Sequence, residues 1–296
     1  MPSLTITGVL GPVTTPFTAS ETIDLAGFEA NLRSHLAHGL HGIVVCGSTG
    51  EAALLDESER SALLETARAV VPPEKLLLMG TGAESTRQCV TRCRDAGARG
   101  VDAVLVVAPH YYGAQMTPDA LRAHYQRVAD ESPVPVVLYN IPKYMHFRLE
   151  PDLVAELSMH DNIVGIKDSS GDLALIEGYL QAQGTTFSVL TGSGGQLLPG
   201  LQLGVRGGIV AVSLFAGGLC MDVYEGFKSG DLARAEAAQG RLKPMASEIV
   251  AGLGVPGVKA AVDAVGLTGG QVRAPLRPLS ADQRRAVRAL VSPPAA

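Results

Sequence analysis

Eight short runs of β-branched and small apolar residues recur along the chain, separated by longer amphipathic segments. The runs are Gly8–Thr14, Gly42–Cys46, Leu76–Gly80, Ala103–Val107, Val134–Tyr139, Ile163–Lys167, Phe187–Leu190 and Gly208–Val212. None alternates strictly between apolar and polar, which is the pattern of strands buried on both faces of a parallel sheet. Between them, Glu57–Val71 gathers Leu63, Leu64, Ala67, Val70 and Val71 on one side and leaves Glu57, Glu59, Arg60, Glu65 and Arg68 largely elsewhere. Pro118–Ala129, Pro151–Ser158 and Asp172–Gln183 read the same way, with Pro151 in a first-turn position. Strand–helix units of roughly 25–35 residues, repeated eight times, predict a (β/α)8 barrel. A doubly wound open sheet is the competitor, but the first βα turn lacks a Gly-x-Gly-x-x-Gly fingerprint with an acidic residue following.

After the eighth run about 80 residues remain, with helical patterns at Ala216–Lys228, Leu232–Val250, Val258–Val265 and Ala281–Leu290. That exceeds one closing helix, so residues 1–225 are expected to form the catalytic barrel and residues 226–296 a helical extension packed on it. Ser292–Ala296 reads as a loose tail. With 46% hydrophobic residues in 296 positions, the chain has ample material for one large core. The formal net charge of −5 offers no global attraction to nucleic acid or to an anionic membrane. No basic-then-apolar leader stands at Met1–Gly8, and no uninterrupted apolar run approaches the ~18 residues of a membrane span. The four cysteines form no CxxC pair, which suits a reducing cytoplasm. Cys89 and Cys93 are one helical turn apart, yet no further Cys or His completes a zinc set, so they read as a buried helix face.

In a barrel of this kind function gathers where strands end and βα loops begin. Those ends are Thr14–Phe17, Gly47–Glu51, Pro109–Tyr112, Tyr139–Pro142, Lys167–Ser170 and Gly192–Gly195. Lys167 directly follows Ile163–Ile166, so its stem enters an apolar barrel mouth, where a desolvated amine can attack carbonyl carbon. A structural role, paired with Asp168 or Glu51, stands beside that reading. No other lysine ends an expected strand. Tyr139 ends the neighbouring strand and could move protons between an imine and a substrate hydroxyl; alone it would more simply be packing. Gly47–Gly50 offers two hydroxyls and backbone N–H groups on a tight turn that could cradle a carboxylate, though such turns are common. His110 and His146 flank the mouth without a cluster that would make them metal ligands. Glu51 is the one carboxylate placed near the rim.

Together these strand ends resemble the dihydrodipicolinate synthase / N-acetylneuraminate lyase family of class I aldolases, over nearly the whole chain from Gly8 to about Leu290. The elements that carry the resemblance are Gly47-Ser48-Thr49-Gly50-Glu51, Tyr111-Tyr112, Tyr139-Asn140-Ile141-Pro142 and Gly165-Ile166-Lys167-Asp168. The resemblance implies that Lys167 forms an imine with a 2-oxo acid, that Tyr139 relays protons, and that Ser48 passes them to Tyr112 from a neighbouring subunit. It implies substrate contacts from Ser48, Thr49, Ser169, Gly192, Ser193 and Val210, no metal or organic cofactor, and a tetramer built as a dimer of dimers.

The departures bear on the substrate. A lysine-biosynthesis synthase usually carries an arginine two residues after its Tyr-Asn-x-Pro turn; here Tyr144 stands there, after Lys143. Such a synthase also tends to have an acidic residue where this chain has Ser193, and the loop Ala52–Arg60 lacks the histidines common in lysine-inhibited members. Gly82–Thr86, Gly192–Gly195, Val255–Lys259 and Arg273–Leu276 look instead like the 4-hydroxy-2-oxoglutarate aldolase branch, although Thr49 is shared with sialic-acid lyases. Lys143–Phe147 fits none of these groups. The leading expectation is therefore retro-aldol cleavage of 4-hydroxy-2-oxoglutarate to pyruvate and glyoxylate. The alternatives are condensation of pyruvate with aspartate semialdehyde, cleavage of a 2-keto-3-deoxy sugar acid, and, from a different class, a catalytically silent sensor of 2-oxo acids.

Overall fold

The structure, a computed structural model, describes residues 4–292, so the first three residues and all but the first residue of the tail read at Ser292–Ala296 lie outside it. Eight strands, β1 (Gly8–Pro12), β2 (Gly42–Val45), β3 (Leu76–Gly80), β4 (Ala103–Val107), β5 (Val136–Asn140), β6 (Ile163–Asp168), β7 (Ser188–Thr191) and β8 (Gly207–Ile209), pair in sequence order. Every pairing is parallel, and β8 returns to β1 to close the barrel. Helices α1 (Leu25–Ala37), α2 (Glu57–Val70), α3 (Thr86–Ala98) and α4 (Pro118–Glu131) follow the first four strands. The short α5 (Pro142–Met145) and α6 (Pro151–Leu157) both follow β5, and α7 (Leu173–Leu180) and α8 (Leu197–Leu203) follow β6 and β7. The fold is the (β/α)8 barrel that the eightfold alternation predicts.

Local chemistry sets the helix starts. Asp56 and Glu59 form a reciprocal capping box at α2, and Thr117 caps α4 just before Pro118, whose missing N–H costs nothing in a first turn. Asp172, read from sequence as the first residue of its helix, is the N-cap: its carboxylate accepts from the N–H groups of Ala174 and Leu175. Cys89 and Cys93 face inward from α3, and the Cys93 thiol sits 3.2 Å from the Thr81 hydroxyl.

The chain beyond β8 covers one end of the barrel. Helix α9 (Ser213–Ser229) completes the outer ring and runs past the boundary expected at residue 225. α10 (Leu232–Pro244) packs back on α9, and α11 (Gly254–Ala264) and α12 (Ala281–Val291) pack on one another. Sequence periodicity predicts one helix over Leu232–Val250, but the winding changes at Pro244, which has no N–H to give, and Met245–Leu253 is π-helical. Leu232–Ala264 as a whole is long and apolar enough to cross a membrane, yet half of its most apolar stretch is buried inside the protein, as in a core helix. α11 also touches the turn after β2, which brings the C-terminal extension to the mouth where the strands end.

Candidate active site

The deepest part of the site is built by two neighbouring strands. Tyr139 on β5 is in register with Lys167 on β6, and the Lys167 ammonium lies 4.2 Å from the centre of the Tyr139 ring. Lys167 is only 4% exposed. The two carboxylates that could have held it structurally are both engaged elsewhere. Asp168 accepts from Asn140 Nδ2 at 2.7 Å and Ser170 Oγ at 2.6 Å, while burial pushes its carboxyl above the usual range against those hydrogen bonds. Glu51 pairs with Lys259. Among the described residues Lys167 makes no ion pair and no side-chain hydrogen bond. A buried lysine nitrogen with no carboxylate partner adds little to stability, and as the free amine it is placed to attack a carbonyl carbon.

Gly192, directly after β7, packs against the end of β6. A Cβ there would meet Ser169 Oγ at 1.9 Å, and the Asp168 carbonyl oxygen and Lys167 Cε each at 3.0 Å, so the position has no room for a side chain.

The Gly47–Glu51 turn forms the opposite wall. Two non-glycine residues with left-handed backbone, Cys46 at φ 52° and Glu51 at φ 58°, bracket it, a strained arrangement of the kind that concentrates at functional sites. Ser48–Gly50 is a single 3₁₀ turn whose first internal bond runs from Gly50 N–H to the Gly47 carbonyl. The N–H groups of Ser48 and Thr49 have no partner inside the turn, nor any backbone partner among the described residues, and can meet an anion. Thr15, in the loop after β1, braces the turn by donating to the Gly50 carbonyl at 2.8 Å.

These walls enclose a cavity of about 410 Å³. Seven residues singled out in the sequence line it: Lys167, Tyr139, Ser48, Thr49, Ser169, Gly192 and Ser193. Val210 does not. β8 ends at Ile209, earlier than sequence suggests; Ile209, Ala211 and Val212 line the cavity while Val210, where the chain leaves the strand for a turn, is fully buried and does not. Tyr112 is also absent from this cavity. It stands on the surface beside Tyr111, ring centres 5.0 Å apart and edge to face, on a loop held by Glu84 through the N–H groups of His110 and Tyr111. Glu51 lies behind its turn, not on the rim, and takes the Arg273 N–H as well as the Lys259 ammonium. Among the described residues no three His, Cys, Asp or Glu side chains gather into a metal-binding group.

Sequence reasoning missed the outer wall. Lys243, Ser247 and Val255 line the cavity from the C-terminal extension, together with Lys143 and Tyr144 of α5. Gln196 links two rim loops by donating to the Gly171 carbonyl at 2.6 Å. One usable signal was present: Pro244, Gly252 and Gly254 interrupt an otherwise continuous apolar helix, and interrupted winding often marks a functional site.

A closed parallel barrel with an unpaired strand-end lysine, a tyrosine against it and a hydroxyl-bearing turn opposite is the architecture of a class I aldolase. The chain belongs to the dihydrodipicolinate synthetase family, whose profile matches residues 5–293. It is 37% identical over 272 residues to a 4-hydroxy-tetrahydrodipicolinate synthase of Methanoculleus marisnigri, covering 91% of this chain and 92% of that one. Among solved structures it resembles dihydrodipicolinate synthase DapA-2 of Bacillus anthracis, with TM-score 0.92, 29% identity and coverage of 97% and 98% of the two chains. It also resembles YagE, a prophage protein of E. coli K12 solved in complex with pyruvate, with TM-score 0.90, 28% identity and 97% of each chain covered. Members of this family are pyruvate-dependent lyases and synthases.

Proposed function

We propose that this chain joins pyruvate to an aldehyde, or parts them, through an imine on Lys167. The observation that carries the proposal is the buried Lys167 side chain, free of both nearby carboxylates, with its nitrogen against the Tyr139 ring at the wall of a cavity. In the proposed sequence Ser48 and Thr49 hold the pyruvate carboxylate, and Lys167 Nζ attacks the C2 carbonyl. The carbinolamine hydroxyl leaves as water with a proton from Tyr139, giving a protonated imine that draws electrons so that the Tyr139 phenolate takes a proton from C3 and an enamine forms. The enamine carbon attacks the aldehyde, and the Tyr139 hydroxyl supplies the proton that the new alkoxide takes up. Hydrolysis of the imine, or attack by an amine within the product, then frees Lys167. A covalent intermediate divides one difficult step into easier ones, and no metal or organic cofactor is required by it. Tyr112 belongs to this scheme through a second copy of the chain, in a homotetramer.

For the partner substrate, the relatives favour condensation of pyruvate with aspartate semialdehyde, the reaction of a 4-hydroxy-tetrahydrodipicolinate synthase, over the leading sequence expectation. Cleavage of 4-hydroxy-2-oxoglutarate has no support from them. Coupled assays test the choice. A higher kcat/KM for aspartate semialdehyde condensation than for pyruvate release from 4-hydroxy-2-oxoglutarate or a 2-keto-3-deoxy sugar acid supports it. Faster cleavage of either acid overturns the acceptor assignment, and saturable pyruvate binding with no turnover of any of them returns the silent sensor.

A further inference from the structure

Among the described residues, every charged side chain lining the cavity is a lysine: Lys143, Lys167 and Lys243, with no Asp or Glu on the wall. A cleft lined by one sign of charge selects ligands of the other. In the reading proposed above, Lys167 is committed to the carbonyl carbon and the Ser48–Thr49 turn to the pyruvate carboxylate. Two cations are left over at the outer end, and they differ. Lys143 donates to the Ala251 carbonyl at 3.0 Å, tying α5 to the π-helical segment. Lys243, in the last turn of α10, is exposed and makes no side-chain hydrogen bond or ion pair among the described residues. Position 144, two residues after the Tyr139–Pro142 turn, carries no charge to compete with it.

We infer that Lys243, delivered by the C-terminal extension, is a specificity-determining residue that receives the carboxylate of the aldehyde joined to pyruvate, so that the second substrate is a carboxylate-bearing aldehyde. The inference rests on the pyruvate-imine reading. Lysine presents a compact point charge on a flexible stem, so it accepts a carboxylate without fixing its orientation, and at an exposed rim its attraction weakens with salt. The acceptor side of the pocket is thereby built by a segment remote in sequence from the strand ends that carry the chemistry.

The test uses the full-length enzyme as wild type, Lys243→Met, Lys243→Glu and Lys143→Met. Borohydride trapping with pyruvate first reports imine formation in each. Steady-state kcat/KM is then measured for aspartate semialdehyde and glyoxylate, which carry a carboxylate, and for glyceraldehyde, which is uncharged. Lys243→Met is expected to lower the ratio of carboxylate-bearing to uncharged acceptor by roughly 10- to 100-fold, mainly through the aldehyde KM. Lys243→Glu is expected to lower it further, and added salt to lower it in the wild type. An unchanged ratio in Lys243→Met, equal losses for both kinds of aldehyde, or a loss confined to Lys143→Met overturns the inference while leaving the imine intact. Absence of a trapped adduct in the wild type overturns the imine reading itself, and this inference with it.

Discussion

Two buried lysines in this molecule have similar surroundings and opposite company. Lys167 on β6 and Lys259 on α11 are 4% and 2% exposed, and each ammonium lies over an aromatic ring, at 4.2 Å from Tyr139 and 4.6 Å from Phe17. Lys259 pairs with Glu51 and donates to the Gln271 carbonyl. Burial lowers its affinity for a proton, and Glu51 opposes that shift. Arg273 covers the same Phe17 ring at 4.1 Å and pairs with Glu59. This second lysine is a fastener, holding the C-terminal extension against the back of the Gly47–Glu51 turn. Lys167 has a cavity where Lys259 has a carboxylate. Burial alone therefore does not mark a reactive lysine; burial against open space, with the neighbouring carboxylates already spoken for, does.

The comparison breaks if the two lysines behave alike. Lys167→Met should lower kcat by roughly ten-thousand-fold or more in the coupled assay, since nothing replaces the nucleophile, while the urea midpoint stays near that of the wild type or rises. Lys259→Met should do the reverse. It leaves the Glu51 carboxylate buried and unpaired, costing about 3–5 kcal/mol of stability in denaturant titration, while pyruvate still forms an adduct on Lys167. Tyr139→Phe removes the proposed proton carrier and should reduce turnover by about 100- to 10,000-fold; a loss below about fivefold would reduce Tyr139 to a packing residue. Gly192→Ala drives a methyl group into the Ser169 hydroxyl and the Lys167 stem. It should cost about 1–3 kcal/mol and slow imine formation in a stopped-flow trapping experiment.

His35 extends the comparison to a buried titratable group with neither partner nor cavity. Among the described residues both ring nitrogens lack a hydrogen-bond partner, and burial lowers its pKa to about 4, with His38 adding to the shift. As pH falls below the ordinary histidine value near 6.5, the unfolded chain takes up a proton that the folded chain refuses. Stability is then complete above about 6.5 and is lost on the way down to about 4, by about 2 kcal/mol near pH 5. His35→Leu should flatten that acid limb in a series of thermal melts.

How much of this was legible in the sequence follows from where the information is local. Each strand was legible to within a few residues because a strand buried on both faces shows as a short β-branched run. Lys167, Tyr139 and the Gly47–Gly50 turn were legible because barrel geometry restricts chemistry to strand ends. Val210 was misplaced because β8 stops at Ile209 and the chain turns there, so strand alternation no longer sets which residues face the cavity. The partners of Lys259 and Glu51 are remote in sequence, so neither the fastening role of Lys259 nor the inward turn of Glu51 leaves a local pattern. Lys243 was invisible for the same reason: its part in the cavity depends on how the π-helical segment aims α10 and α11 over the mouth.

The most direct test of the central claim is reduction of the protein with borohydride in the presence of pyruvate, followed by peptide mass spectrometry. The account predicts one carboxyethyl adduct, on Lys167, and none on Lys259, Lys143 or Lys243. An adduct on another lysine with Lys167 unmodified, or pyruvate bound without any adduct, would contradict it.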